Sequence, residues 1–530
     1  MIAFTLAVIA ALLYAGLFPP FGLGWLAWVA LVPLIRACDE AGEVRSFLLA
    51  GSFGLLTTLF IIPWLAPTAR EYFDQSSITT LLLVGTIAAA SIAPYFALTF
   101  GLLGALQRQV PRIVWLLLIP AGWVTAEWLR TNLGLRSSWC LLGTSLIEAP
   151  RLRQLADITG IYGVSGLIVL GNVVVAEALR LAETGLASRE LPSSRRLRPL
   201  LQCVGLFGIV LILALAHGHR KLAEPSRGES FDVAIVQGNI DQQLRWRRGE
   251  AMRMLSRYSG LSESIVESGD EPTPDLIVWP ESALQKPVEH PLYGPALLRL
   301  VEKLGAPILV GAPRTSAEGH HNSAALVIPH ERIRYYDKMR LLPFSETHPI
   351  DRLRSLPARG DDHLSGYVAG THPGLFDWND RRLGVLICFE AIYPSLARDL
   401  ALQGATAIVN LSNDGWYRGS GGPEQHLEQV VFRAIETGLP LIRSTTTGIS
   451  AVISPRGEIV ARLGEGERGI LRVAVPAPRR QATFYVRHGD VHAKGSALLL
   501  CVTAAYALLR RRREGAEESW LEEPLAASTR

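Results

Sequence analysis

The chain has 530 residues, of which 49% are hydrophobic and only 19% charged, with a formal net charge of +4. Soluble domains carry about a quarter charged residues, so the composition is not that of an ordinary soluble enzyme, and so small a positive excess gives no basis for a nucleic-acid partner. Five scattered cysteines make no disulfide framework.

In chain order, the first ~220 residues are dominated by apolar runs. A spanning helix needs ~20 mostly apolar residues to cross a hydrocarbon core of about 30 Å. Candidate spans lie at 2–18, 22–36, 47–65, 79–107, 112–130, 161–181, 199–217 and, far downstream, 494–510. Phe18-Pro19-Pro20-Phe21-Gly22 separates the first two, which predicts a tight helical hairpin, because proline cannot continue a helix. A cleavable signal peptide is disfavoured: there is no basic start or small-residue cleavage site, and a second run follows at once.

Basic residues mark cytoplasmic loops. Arg36 and Arg45, Arg108 and Arg112, Arg189 to Arg198, and Arg510 to Arg513 follow alternate runs. The other loops hold fewer: Arg70, Arg136, Arg151 and Arg153. With the N-terminus inside, seven crossings place the following segment on the outer side of the membrane. The chain then divides into a transmembrane domain (1–220), an outward-facing domain (221–490), a last span (491–513) and an acidic, polar cytoplasmic tail (514–530) expected to be disordered.

From 231 onward, short β-rich runs alternate with amphipathic stretches. Strands are predicted at 231–237, 276–278, 307–311, 323–328, 383–387, 407–411, 441–444, 449–453 and 469–475, and helices at 247–268, 294–304, 392–403 and 425–437. This mixture predicts a layered α/β fold.

Three polar residues follow apolar strands. Glu281 ends Leu276-Ile-Val-Trp-Pro-Glu281, where partial desolvation would make it a better base. Alone it would equally be an acid at a helix N-terminus. Lys338, in Tyr335-Tyr-Asp-Lys338-Met-Arg-Leu-Leu-Pro, could donate to a developing oxyanion, with Glu346 keeping it charged. Alone it would equally be a surface lysine. Cys388 ends Leu383-Gly-Val-Leu-Ile-Cys388-Phe-Glu390 in the manner of a nucleophile elbow, where a helix N-terminus and a cation would lower its pKa and supply thiolate. Alone it would equally be an inert core thiol. The loop Gly415-Trp416-Tyr-Arg-Gly-Ser-Gly-Gly422 suits either an interfacial lid or a plain solvent loop. The His/Cys spacing of a zinc site is absent, and neither metal nor cofactor is expected.

Together, Trp279-Pro280-Glu281, the Lys338 segment and Cys388-Phe389-Glu390 resemble the nitrilase superfamily over about 231–476. With Phe18-Pro-Pro-Phe-Gly-Leu-Gly-Trp, seven runs before this domain and one after, nearly the whole chain resembles the apolipoprotein N-acyltransferase family. Further matching pieces are Leu244-Arg-Trp246, Ser412-Asn-Asp-Gly-Trp416, Gly422-Pro-Glu-Gln-His426 and Arg443-Ser-Thr-Thr-Thr-Gly448.

The resemblance implies a polytopic α-helical membrane domain joined to a nitrilase-like αββα sandwich. It implies transfer of an acyl chain from a phospholipid, through a cysteine thioester, to the N-terminal amine of diacylglyceryl-cysteine apolipoproteins. Cys388 would be the nucleophile, Glu281 the base and Lys338 the third catalytic member. Trp246, Glu346, Phe389, Glu390 and Trp416 would support the site or its substrates, Trp246 either lining an acyl groove or packing in the core. Ser345 replaces the family's usual Gly, Gly415 its frequent Ala, and 347–374 match poorly. The alternative function is a membrane-tethered amidase or nitrilase acting on a small C–N substrate, which the same three residues would serve.

Overall fold

The computed structural model describes residues 1–526 apart from 73–75, 189–192, 225–227, 243–248, 268–271, 344, 348–365 and 480. Residues 1–223 are helical. The elements are α1 (Ile2–Gly16), α2 (Val32–Cys38), α3 (Gly42–Ile61), α4 (Leu65–Tyr72), α5 (Ser77–Ser91), α6 (Ala93–Leu106), α7 (Arg112–Asn132), α8 (Pro150–Arg153), α9 (Ala156–Ser188) and α10 (Ser194–Ala223). Among the described residues, six helical segments are long and apolar enough to cross a membrane: Gly42–Ile61, Ser77–Leu106, Arg112–Asn132, Ala156–Ala187, Ser194–Ala223 and Val491–Arg513. The first two apolar runs form shorter helices.

The second run departs from the expected single helix. It folds as a 3-10 turn, Gly24–Trp28, followed by α2, which starts afresh with Pro33 in its first turn. A break of this kind frees backbone groups that hydrocarbon cannot solvate, each at a cost of several kcal/mol. Asn172 of α9 satisfies two of them. The Leu31 N–H donates to its Oδ1 at 2.9 Å, and its Nδ2 donates to the Ala27 carbonyl at 2.7 Å. Elsewhere small residues permit close helix packing. A Cβ on Gly54 of α3 would lie 2.7 Å from the Cα of Ala93, and one on Gly104 of α6 would lie 2.5 Å from the Gly42 carbonyl oxygen.

Beyond α10 come β1 (Phe231–Gln237), α11 (Glu250–Glu267), β2 (Leu276–Val278), α12 (Gly294–Leu304), β3 (Ile308–Ser316), β4 (Gly319–Val327), β5 (Arg334–Asp337), β6 (Gly374–Trp378), β7 (Arg381–Ile387), α13 (Pro394–Leu402), β8 (Ala407–Ser412), α14 (Gly422–Thr437), β9 (Leu441–Thr445), β10 (Ser450–Ile453), β11 (Ile459–Leu463), β12 (Gly469–Val475), α15 (Phe484–His488) and α16 (Val491–Ala526). They build two six-stranded sheets, ordered β12-β1-β2-β3-β4-β5 and β11-β10-β9-β8-β7-β6. In each, three neighbouring central strands run parallel: β1, β2 and β3, and β7, β8 and β9.

Strand alternation divides the side chains between layers. Val233, Ile235, Val278 and Leu309 meet Val385, Ile387, Val409 and Ile442 between the sheets. Ala234, Val236 and Ile277 turn outward beneath Leu255 of α11 and Leu297 of α12. Leu386, Ile408 and Leu441 turn the other way, under α13 and α14, into a core continuous with the membrane helices. The result is the expected αββα sandwich, with its α13–α14 layer seated on the helical domain. Burial on both faces explains why the central strands read as mostly apolar runs, with their polar residues such as Asn410 and Arg443 buried and hydrogen-bonded.

β6 and β11 were not expected, and β5 was expected only as an apolar strand of no stated range before Lys338. β5 is short and polar, and β6 and β11 close one sheet at its two edges, where an apolar signal is not required. α16 also departs from expectation. Its backbone stays helical to Ala526, through the tail predicted to be disordered, and that stretch is rich in the strong helix formers Glu, Ala and Leu.

Three connections of the helical domain bear on the sandwich. Pro19, after α1, and Ile61, at the end of α3, accept from Gln425 Nε2 through their carbonyls at 2.6 and 3.2 Å. Ser138, after α7, donates to the Ile392 carbonyl at 3.1 Å. These belong to the same alternate set of loops that the arginine distribution placed opposite the basic clusters.

Candidate active site

Three strand ends and one turn converge at the mouth of the sandwich. Glu281 follows β2, Lys338 follows β5 and Cys388 follows β7, and all three are buried, at 6%, 2% and 7% relative exposure. β2 and β7 lie in different sheets, so residues 107 positions apart meet across the sandwich. Cys388 adopts φ +54°, a sharp turn out of β7. Left-handed backbone is rare for a residue with a Cβ and frequent at functional turns.

Lys338 Nζ lies 2.9 Å from Glu346 Oε1 and Oε2 and 3.6 Å from Glu281 Oε1. Asn322 of β4 bridges the two acids, its Nδ2 donating to Glu281 Oε1 at 2.8 Å and to Glu346 Oε1 at 2.7 Å. The Leu342 N–H adds a bond to Glu346 Oε2 at 2.7 Å. The Cys388 thiol is a hydrogen-bond partner of the Glu281 carboxylate. Among these side chains two carboxylates face one ammonium. Passing a proton from Cys388 to Glu281 leaves that net charge unchanged and moves the negative charge onto sulfur.

Burial raises the Glu281 pKa, Lys338 opposes this and Glu346 adds to it, leaving the carboxyl above its ordinary value. Burial pulls Lys338 down, but Glu346 and Glu281 outweigh it, so the ammonium holds its proton firmly. Burial pushes the Cys388 thiol up, Glu281 pushes it further, and Lys338 only partly opposes them. The expectation of a preformed thiolate is therefore corrected. The resting sulfur is a thiol that must lose its proton as it attacks, and a base is in contact to take it.

Glu390 has a different job. Both its oxygens accept from the Tyr336 hydroxyl at 2.8 Å, Oε1 accepts from the Met339 and Arg340 N–H groups at 2.8 and 3.0 Å, and Oε2 accepts from the Ile387 N–H at 2.8 Å. It thus ties the Lys338 turn to the Cys388 turn. Behind Cys388, Asn410 Nδ2 donates to the carbonyls of Leu386 and Cys388 at 3.1 and 3.3 Å. Arg443 donates to Asn410 Oδ1 and, at 2.6 Å, to Asp414 Oδ2. Asp414 Oδ1 accepts from the Tyr417 hydroxyl at 2.8 Å and lies 3.1 Å from His426 Nδ1. Burial raises the Asp414 pKa, but Arg443 and His426 more than offset this and hold it below the ordinary carboxylate range.

Phe389 stacks on Trp139 of the helical domain, with ring centroids 5.0 Å apart and planes 15° apart. Trp139 Nε1 donates to Gln425 Oε1 at 2.8 Å. Trp416 is half-buried in the 3-10 turn Asp414–Tyr417, and its carbonyl accepts from Thr68 of α4 at 2.6 Å. Its loop is thus anchored at its start to the helical domain. Trp246 lies outside the described residues.

The geometry brings Glu281, Lys338, Cys388, Glu346, Phe389 and Glu390 together. Sequence reasoning missed Asn322, Tyr336, Asn410 and Trp139, and saw Asp414, His426 and Arg443 only as matching pieces with no role. Asn322 lies in the polar first half of β4, just before the predicted strand 323–328, and so gave no readable signal. Trp139 offered none, because its partner lies 250 residues downstream.

Two families match the chain: carbon-nitrogen hydrolase over residues 232–485, and the apolipoprotein N-acyltransferase N-terminal domain over residues 10–174. An apolipoprotein N-acyltransferase from Geobacter metallireducens is 32% identical over 96% of this chain and 96% of its own. Another, from Caulobacter vibrioides, is 31% identical over 92% of this chain and 91% of its own. Among solved structures, an amidase from Nesterenkonia sp. is similar to 51% of this chain and 97% of its own, at 18% identity and a TM-score of 0.35. Likeness to the transferases spans both domains, which favours acyl transfer over the amidase alternative.

Proposed function

Because the chain belongs to the apolipoprotein N-acyltransferase family, and is accordingly a membrane-embedded N-acyltransferase acting on lipid substrates, we propose that Glu281, Lys338 and Cys388 carry the reaction by a two-step, ping-pong route. The donor is a phospholipid and the acceptor is the N-terminal amine of a diacylglyceryl-cysteine lipoprotein. The observation that carries this reading is the convergence of three buried side chains from different strand ends, with Lys338 Nζ 3.6 Å from Glu281 Oε1 and the Cys388 thiol interacting with the same carboxylate.

In the first step Glu281 takes the Cys388 proton as sulfur attacks the ester carbonyl. Lys338 and backbone N–H groups at the Cys388–Phe389 turn stabilise the oxyanion. The C–O bond breaks, Glu281 returns its proton to the departing alkoxide, lysophospholipid leaves, and an acyl thioester remains. In the second step the lipoprotein amine attacks the thioester. An α-amine pKa of about 8 leaves a usable neutral fraction near pH 7. Glu281 takes the amine proton and passes it to sulfur as the C–S bond breaks.

The periplasmic placement rests on the arginine distribution and on the loops that touch the sandwich. The inner membrane of a bacterium is where both acyl-bearing substrates would lie beside such a site. The test is intact mass after incubation with a phospholipid of known acyl chain. Wild type gains one acyl mass, which hydroxylamine removes, and Cys388→Ala gains none. An acyl adduct that persists in Cys388→Ala would overturn the assignment.

A further inference from the structure

A second polar site lies well away from the nucleophile. The amide of Arg479 donates to the carbonyl of Gly438, just beyond α14, at 2.8 Å. His426, beside the Cys388 turn, sits near the start of that helix. Twelve residues at 1.5 Å each separate the two ends by about 18 Å. Around Arg479 opens a cleft of about 270 Å³, walled by the end of α10, the start of α9, Arg479 and the segment 481–487. His217, Arg220, Lys221, Arg479 and Arg487 line it, with Asp157 as its one acid.

The acid is already taken. Asp157 lies 2.7 Å from His217 Nε2, 2.7 Å from Arg479 Nη1 and 3.9 Å from Lys221 Nζ. Lys221 reaches a second carboxylate, Glu224, at 3.2 Å. Among the described residues, four permanent cations therefore face two anions. Arg220 and Arg487 are exposed and have no acidic partner among the described residues. Two guanidiniums aimed at one open cleft, one from a membrane helix and one from the segment after the sandwich, fit a phosphate group.

The level of the cleft indicates the source of that phosphate. Ile209, Ile212 and Leu213 of α10 are 60–66% exposed, as an apolar face toward acyl chains would be. Arg220 lies seven residues beyond Leu213, about 10 Å further along the helix axis. The polar layer of a bilayer occupies about the first 5–7 Å beyond the hydrocarbon core, so with Leu213 a few ångströms inside that core Arg220 stands in the headgroup layer. Phe484, 41% exposed, forms an apolar wall of the same cleft, which suits glycerol and acyl carbons better than a bare ion.

We propose that this cleft binds the phosphate of an anionic phospholipid headgroup from the leaflet on the sandwich side, clamping α10 to Arg479 and the segment 481–487. The inference stands on the cleft's own charge and position, independently of the acyl-transfer route.

The test uses the full chain in detergent micelles, with native mass spectrometry and thermal unfolding as readouts and Arg220→Gln/Arg487→Gln as the variant. Phosphatidylglycerol is expected to be retained in preference to phosphatidylcholine and to raise the unfolding temperature. Charge-assisted bonds lost with each arginine should weaken retention about tenfold per residue. Arg299→Gln, on exposed α12 far from the cleft, removes charge without affecting retention. Unchanged acyl transfer by the double variant shows that it folds. If millimolar inorganic phosphate alone reproduces the stabilisation in wild type and not in the variant, the phosphate site stands with a soluble occupant. Equal retention by wild type and double variant, or no preference over phosphatidylcholine, overturns the proposal.

Discussion

Glu281 shares a closed pocket with one ammonium and one other carboxylate, so its hold on a proton answers to both neighbours. A base must be deprotonated to act, and a raised pKa means that activity is lost at a higher pH on acidification than an ordinary glutamate, near 4.3, would give. Glu346→Gln removes the neighbouring negative charge and should move the acid limb of kcat/KM to lower pH. Lys338→Met removes the cation and should move it higher while also lowering kcat. Shifts on the order of one pH unit are expected, because a single nearby charge moves a buried carboxyl by that much. If both variants lose activity with unmoved limbs, the pocket is structural and not electrostatic. Asp414 obeys the opposite linkage. Its folded pKa lies below the unfolded value of about 3.9, so its stabilisation is present above that pH and is lost as pH falls through the depressed value. Arg443→Ala would leave Asp414 buried without its closest cation, and thermal unfolding should show a loss of about 3–5 kcal/mol.

Among the elements, the break between Gly24 and α2 shows how an irregular segment survives inside an apolar bundle. Asn172→Leu keeps the side-chain volume but orphans the Leu31 N–H and the Ala27 carbonyl. Each buried orphan costs about 1–3 kcal/mol, so unfolding in detergent should occur several degrees lower. Asn172→Asp should retain the bond from Leu31 and lose the one to Ala27. An unchanged unfolding temperature in Asn172→Leu would show that the break finds other partners. This break was not legible from local pattern, because an apolar run looks alike whether its helix is continuous or not. Pro33 was visible in the sequence, but a proline near a helix start is also ordinary. The central strands were legible for the opposite reason. Burial on both faces leaves 233–236 and 407–409 wholly apolar, whereas β5, β6 and β11 end their sheets and carry no such mark.

At the scale of the whole molecule, the α13–α14 layer rests on the loops after α1, α3 and α7, so the sandwich and those loops must share one side of any membrane the helices cross. Reporter fusions test which side it is. A fluorescent protein joined after residue 188 should fluoresce, and alkaline phosphatase joined after residue 230 should be active. The reverse pattern would put the site in the cytoplasm and end the periplasmic reading. Stacking of Trp139 on Phe389 brings the helical domain against the residue that follows Cys388, beyond its part as an anchor. The sequence alone determined six of the eight expected spans as long apolar helices, the layered α/β domain and the types of residue that meet at the site, because apolar periodicity and polar residues at strand ends are local properties. Only the tertiary structure decided that Asn322 bridges two acids, that Trp139 stacks on Phe389 and that burial pushes the Cys388 thiol pKa up. Those depend on which strands become neighbours and on how much water their packing removes, quantities that no stretch of chain carries by itself.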